Sequence, residues 1–295
     1  MTTGFEEFWN NTLAEFHSVP NPEQVTEDPD LSARDYFSYK VVLSSFQGKR
    51  IRGIYSVPTN RSSKGVYPAV LRVPGYSADT LTLEKHFALV ISGFAVLSLW
   101  PRGQGESAEE WSLEHSTKLT YHLDDKEKYY YRGAYMDCVR GIDFLFSRSE
   151  VKSDAIGMWG RSQGGGYTLA TASLDSRLAA IVAEQPFLSN YPKSSTLSST
   201  PYVEIKNYIE EHSDQTKKVL ETLSYFDTMN LVKNITCPVS MNIGMVDPIC
   251  PPDTIMPVFE RIASLKNLMV YQDLAHESCV DFNVHAMDWL KKYLV

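Results

Sequence analysis

The chain is short of cysteine, of net positive charge and of long apolar runs. Its four cysteines, Cys138, Cys237, Cys250 and Cys279, are scattered without Cys-x-x-Cys spacing. That excludes a disulfide-framed module and a zinc ribbon, and the thiols are expected to be reduced. Basic residues number 28 against 36 acidic ones, a formal charge of −8, so nucleic acid and anionic membrane are poor partners. No apolar stretch is long enough to span a bilayer. The opening MTTGFEEFWNNTLAEF is acidic and interrupted by polar residues, unlike a signal peptide, and a cytoplasmic setting is expected. No histidine pair has zinc-protease spacing and no acidic cluster resembles a calcium loop. Arg102-Gly103-Gln104-Gly105 does not make a dinucleotide fingerprint. Neither cofactor nor metal is predicted.

What the chain does have is an apolar content of 43% and strand-like runs alternating with helical ones. Residues 5–16 carry a helical stripe of Phe5, Phe8, Trp9, Leu13 and Phe16. The Pro- and acid-rich 19–31 reads as an extended connector. Two strands, 36–46 and 50–57, are joined by the hairpin signal Gln47-Gly48-Lys49. Further strands are predicted at 67–73, 94–100, 155–159, 178–183, 239–244 and 268–271. Helices are predicted at 82–92, 129–146, 163–173, 252–264 and 279–293. Two stretches, about 101–128 and 185–230, are too long and too aromatic to be plain connections. Strands alternating with helices give an α/β fold. Its central sheet is mostly parallel, with helices on both faces and an antiparallel N-terminal edge. With no repeat or flexible linker, residues 1–295 are expected to form a single domain carrying two insertions.

One stretch organises the rest. The apolar 155–159 runs into Gly160-Arg161-Ser162-Gln163-Gly164, and a helix follows. A G-x-S-x-G between a buried strand and a helix predicts a nucleophile elbow, in which a sharp turn lifts a serine hydroxyl off the sheet. The plain reading is a glycine-rich turn with a solvated serine. A serine hydroxyl needs a base, and the base needs an orienting carboxylate. In a parallel sheet such partners sit just after strands. Asp247 follows 239–244, and His276 follows 268–271. The order Ser162, Asp247, His276 is that of an α/β-hydrolase triad. Asp273 is the rival orienter. Of the other histidines, His285 reads as structural, His115 and His122 as able to touch substrate, and His17, His86 and His212 as surface groups. Acyl transfer also needs donors for an oxyanion. The backbone N–H of Gln163 is one candidate. That of Tyr76, in Pro74-Gly75-Tyr76 after an early strand, is the other, unless the Pro-Gly pair only reverses the chain.

These residues resemble a known family. Arg102-Gly103-Gln104, Gly160-Arg161-Ser162-Gln163-Gly164 and His276-Glu277 match the three signatures of carbohydrate esterase family 7, the acetyl xylan esterases and cephalosporin C deacetylases. Lys128 to Arg132, Asp137 to Arg140, Pro186-Phe187-Leu188, Leu223 to Asp227 and Asp247 to Pro252 are similar as well, so the likeness covers nearly the whole chain. The resemblance implies an α/β-hydrolase that removes acetyl groups from small sugars, xylo-oligosaccharides and often cephalosporin C. It implies Ser162, Asp247 and His276 as the triad, and Tyr76 and Gln163 as backbone oxyanion donors. It also implies a cytoplasmic homohexamer. Arg102 and Gln104 are expected to act behind the site, with Arg102 fixing the elbow region, and Glu277 to anchor beside His276. Trp100, Trp111, Tyr121, Pro186 and Phe187 are candidate pocket walls. Arg161 departs from the pattern, standing where the family commonly carries a small residue. Two alternatives stay open. One is another hydrolase on this fold, a short-chain carboxylesterase, thioesterase or peptidase. The other is a non-catalytic binding protein.

Overall fold

A nine-stranded sheet runs through the computed structural model, which describes residues 4–59, 66–77, 83–109, 111, 113, 116–199 and 201–295. The strands are β1 (Glu23–Glu27), β2 (Tyr36–Ser44), β3 (Arg50–Pro58), β4 (Tyr67–Val73), β5 (Ala95–Trp100), β6 (Val151–Arg161), β7 (Ala180–Glu184), β8 (Val239–Gly244) and β9 (Lys266–Tyr271). Their spatial order is β1-β2-β3-β5-β4-β6-β7-β8-β9. The first three and the β3–β5 pair are antiparallel, and every pair from β5–β4 to β8–β9 is parallel. The chain moves outward from β4 to β5, then returns to β6 on the other side of β4. Loops leaving β4 and β6 therefore diverge, opening a crevice at the carboxyl ends of the two central strands.

The helices are α1 (Phe5–His17), α2 (Leu83–Ile91), α3 (Tyr130–Ser147), α4 (Gln163–Leu174), α5 (Tyr191–Ser194), α6 (Val203–Glu211), α7 (Thr216–Phe226), α8 (Thr228–Leu231), α9 (Pro252–Arg261) and α10 (Val280–Leu294). Side chains alternate along a strand, so each central strand feeds two cores. Ala69, Leu71 and Val73 of β4 and Ile156 and Met158 of β6 join the larger core, with α1, α3 and α4. Val70 of β4 and Ala155 and Trp159 of β6 join the smaller, closed by α2 and α10. Helix α1 is moored by aromatic contacts. Trp9 donates its indole N–H to the Tyr225 carbonyl at 3.0 Å, and Phe8 lies edge-on to Trp9 and Phe226. Among the described residues no helix is long and apolar enough to cross a membrane.

Two expectations need correction. The stretch 19–31 is not merely a connector, because it contains β1, which pairs antiparallel with β2. Its residues are largely exposed, so the strand is held by its backbone ladder and carries no apolar alternation to read. His86 is not a surface group. It is fully buried, with Nδ1 2.8 Å from the Ser98 hydroxyl and Nε2 2.8 Å from that of Ser56. Two hydroxyls on the adjacent strands β3 and β5, 30 and 12 residues away in sequence, satisfy the ring, and nothing local announces them.

Candidate active site

Ser162 lies between β6 and α4 with φ 57° and ψ −121°, a backbone conformation that L-residues avoid. The surroundings hold it there. Its N–H donates to the Glu184 carbonyl at 2.9 Å, and its own carbonyl accepts from Gly166 and Phe187. The flanking glycines are required by contact. A Cβ on Gly160 would stand 2.2 Å from the Gly164 carbonyl oxygen, and one on Gly164 would stand 2.6 Å from that of Val73. The turn is so tight that strand, helix and the β4 loop share the same space.

The hydroxyl of Ser162 is 3.0 Å from Nε2 of His276, and Nδ1 of His276 is 2.8 Å from Oδ2 of Asp247. With Nδ1–H donating to the carboxylate, Nε2 is left to accept the serine proton. The other Asp247 oxygen accepts the N–H groups of Ile249 and Cys250 at 2.8 and 2.9 Å, so the carboxylate is fixed as well as buried. Asp273, the rival, is exposed, and among the described residues makes no bond to His276. The histidine loop is strapped to its neighbours. Gln185 donates from Nε2 to the Ala275 carbonyl at 2.5 Å, and the Val246 N–H to that of Leu274 at 3.3 Å. Cys250 completes a trio with Asp247 and His276 whose ligand atoms lie within 4.8 Å of one another, a grouping that could hold a metal ion. Burial, with the Asp247 charge beside it, pushes the Cys250 thiol well up and keeps it protonated, which disfavours that use.

An amide network ties the loop after β4 to the elbow. Gln104 donates from Nε2 to the Gly75 carbonyl at 2.8 Å and accepts from Nε2 of Gln163 at 2.9 Å. Tyr131 of α3 donates to the remaining Gln163 oxygen at 2.8 Å. In a trans peptide the carbonyl and the following N–H point opposite ways. Pinning the Gly75 oxygen therefore aims the Tyr76 N–H away from the glutamines. That N–H and the N–H of Gln163, at the start of α4, make no hydrogen bond among the described residues. Gly75 itself is close to the nucleophile, since a Cβ there would lie 4.0 Å from the Ser162 Cβ. Two unspent donors beside a hydroxyl–imidazole–carboxylate chain can stabilise a developing oxyanion.

Above this lies a cleft of about 600 Å³, walled by Tyr76, Arg161, Pro201, Glu204 and Ile249. The Tyr76 hydroxyl donates to Glu204 at 2.5 Å, bridging the β4 loop to α6.

The acetyl xylan esterase (AXE1) family profile matches residues 1–293. The chain belongs to the acetyl xylan esterase family. Members are carboxylic ester hydrolases, and the family classes this chain with them. It is similar to an acetyl xylan esterase from Paenibacillus sp. R4, with a TM-score of 0.92 and 33% identity over 99% of this chain and 95% of that one. Acetyl xylan esterase 1 from Thermoanaerobacterium sp. JW/SL YS485 superposes with a TM-score of 0.91 at 29% identity, covering 100% and 95%. Acetyl esterase Axe7A of Xylanibacter ruminicola is 29% identical over 98% of this chain. The chain spans 66% of that relative's length. The fold is thus the α/β-hydrolase one.

Within this esterase fold the remaining expected residues fall in different places. Arg102 is 1% exposed and grips Asp137 of α3 through Nε and Nη2, both at 2.8 Å, while Nη2 also donates to the Phe46 carbonyl at 2.9 Å. It therefore fixes α3 and the β2–β3 turn, and reaches the elbow indirectly, through Gln104 two residues on and through Tyr131 of α3. Glu277 is exposed, and its side chain has no hydrogen bond or ion pair among the described residues, so it is not the anchor expected. Trp100, Pro186 and Phe187 do not line the cleft. All three are buried behind it, Phe187 against the Tyr202 ring with centroids 4.0 Å apart. Trp111 and Tyr121 pack on each other at 5.4 Å, away from the nucleophile. His122 is exposed outside the cleft, and His115 lies outside the described residues. Sequence reasoning missed Gln185, Pro201 and Glu204. All three fall in the second insertion, Gln185 at its first residue, and only its folding back over the sheet brings Pro201 and Glu204 to the cleft.

Proposed function

We propose that the protein is a serine esterase that removes acetyl groups from small sugars and xylo-oligosaccharides, with cephalosporin C as a further substrate. The observation that carries this reading is the continuous chain Ser162–His276–Asp247, opening beside the unspent N–H groups of Tyr76 and Gln163. His276 takes the Ser162 proton as the oxygen attacks the acetyl carbonyl. Asp247 holds the imidazole in the right tautomer and stabilises its charged form. The Tyr76 and Gln163 N–H groups receive the oxyanion. His276 then protonates the departing sugar oxygen. Water, deprotonated by the same ring, releases acetate from the acetyl-serine. The 295 residues act as one catalytic domain, in the cytoplasm, as a homohexamer. Family membership supports the acetyl preference.

The direct test is Ser162→Ala. It should fold as the parent does and lose p-nitrophenyl acetate turnover by roughly 10⁴-fold or more. Near-parental activity would remove Ser162 as nucleophile. A rate that falls steeply from acetyl to butyryl esters is expected, and a flat profile would favour a general carboxylesterase. Size-exclusion chromatography with light scattering tests the hexamer.

A further inference from the structure

The cleft contains a cation that the chemistry above does not use. Arg161 ends β6, immediately before the nucleophile, and lines the cleft with Ser162 and His276. Among the described residues its guanidinium makes a single long hydrogen bond, Nη1 to the His276 carbonyl at 3.4 Å. Among the described residues it forms no ion pair, and the carboxylates around it hold other partners, although the buried Oε1 of Glu184 has none. Glu184, its neighbour across the β6–β7 ladder, is bound by Lys85 at 2.9 Å. Asp247 is held by His276 and two backbone N–H groups. Glu204 takes the Tyr76 hydroxyl. A half-buried guanidinium carries five N–H donors, and the hydrogen bond to His276 uses one of them.

An acetyl ester bound with its carbonyl toward the Tyr76 and Gln163 N–H groups must leave its alcohol half at the mouth, between Arg161 and Glu204. Glu204 offers an acceptor to a sugar hydroxyl. Arg161 offers a planar, permanently charged fork whose best partner is a carboxylate. We propose that Arg161 is a specificity-determining residue that selects acetyl esters of acidic sugars, those whose alcohol half carries a carboxylate, over neutral ones. This rests on the esterase reading and sharpens its substrate class.

The test compares acetate release from O-acetylated methyl glucuronoside and O-acetylated methyl glucoside, which differ at one carbon. At low salt the parent should favour the acidic ester in kcat/KM by about tenfold or more, the worth of one charge-assisted bond. Raising the salt should shrink that ratio, a readout that needs no variant. In Arg161→Met the ratio should fall to about one, and in Arg161→Lys it should be partly restored, since a point charge replaces the fork. A parental ratio at or below one, or an equal ratio in parent and Arg161→Met, overturns the proposal. So does a loss in Arg161→Met that is equal for both esters, which would mean that Arg161 only supports the His276 loop. A parent that releases acetate from the glucoside but shows no acidic preference leaves the esterase reading standing. A parent that releases acetate from neither, nor from p-nitrophenyl acetate, overturns both.

Discussion

Replacing Gln104 with leucine removes one buried amide far from any substrate atom, yet it should slow catalysis. The side chain is 1% exposed and bridges two groups, donating to Gly75 and accepting from Gln163. Leucine has similar bulk and neither function. Two hydrogen bonds of about 1 kcal/mol each are lost, and the Gln163 amide is left partly unsatisfied, so stability should fall by roughly 2–3 kcal/mol. The effect on rate comes through the Gly75–Tyr76 peptide. Losing an oxyanion donor outright costs about 10²–10³ in kcat. Gln163 Nε2 already stands 3.5 Å from the Gly75 oxygen and can tighten onto it, which softens the loss. We therefore expect kcat for p-nitrophenyl acetate to drop by roughly 10–100-fold with KM changed by less than about threefold, since the donor acts on charge that exists only in the transition state. Steady-state kinetics beside thermal unfolding checks both. A folded Gln104→Leu with kcat within twofold of the parent would refute the idea that the amide network sets the Tyr76 N–H.

Asp247→Asn should lower kcat by about 10⁴-fold by favouring the wrong histidine tautomer, whereas the exposed Asp273→Asn should stay within about twofold, and kinetics on the two variants separates the carboxylates. Gly133→Ala should destabilise by about 3 kcal/mol in denaturant titration, because its Cβ would fall 2.2 Å from Nη1 of the buried Arg102 and displace its pair with Asp137. Burial, aided by the Arg72 charge, holds the His86 ring down to about 3, below its unfolded value of about 6.5. The unfolded chain then binds the extra proton between those values, so this contribution is full above about pH 6.5 and is lost as pH falls toward 3. By pH 5 the loss amounts to about 2 kcal/mol, and unfolding free energies of the parent and His86→Asn should converge by that amount between pH 7 and 5.

The elbow was the most legible part of the chain because its constraint is local. Gly160 is demanded by its contact with Gly164, four residues on, and a breaker-bounded apolar run leads into the turn, although the contact that demands Gly164 is with distant Val73. Asp247 and His276 were readable for a different reason, since a parallel sheet brings successive strand ends to one edge whatever the loops do. Strand β1 was not readable, its five residues being mostly exposed and carrying no pattern. Arg102 was identified as a charge acting behind the site, but its partner Asp137 lies 35 residues away on a helix, and only packing reveals the match. The aromatics assigned to the pocket failed as a group. Being apolar and near a strand end suits a buried support as well as a wall, and Phe187 became the support. Of the cleft's walls, Glu204 comes from α6 and Pro201 from just before it, and the route of that segment over the sheet depends on long-range contacts such as the Tyr76–Glu204 bond.

The backbone angle at Ser162 has an evolutionary corollary. Holding a side chain in that conformation costs about 1–3 kcal/mol, and glycine would escape most of it. The very position that gives the chain its reactivity is thus the one where it forgoes robustness. A library sorted on heat tolerance alone would drift toward glycine there, enriching sturdy molecules that have forgotten their chemistry.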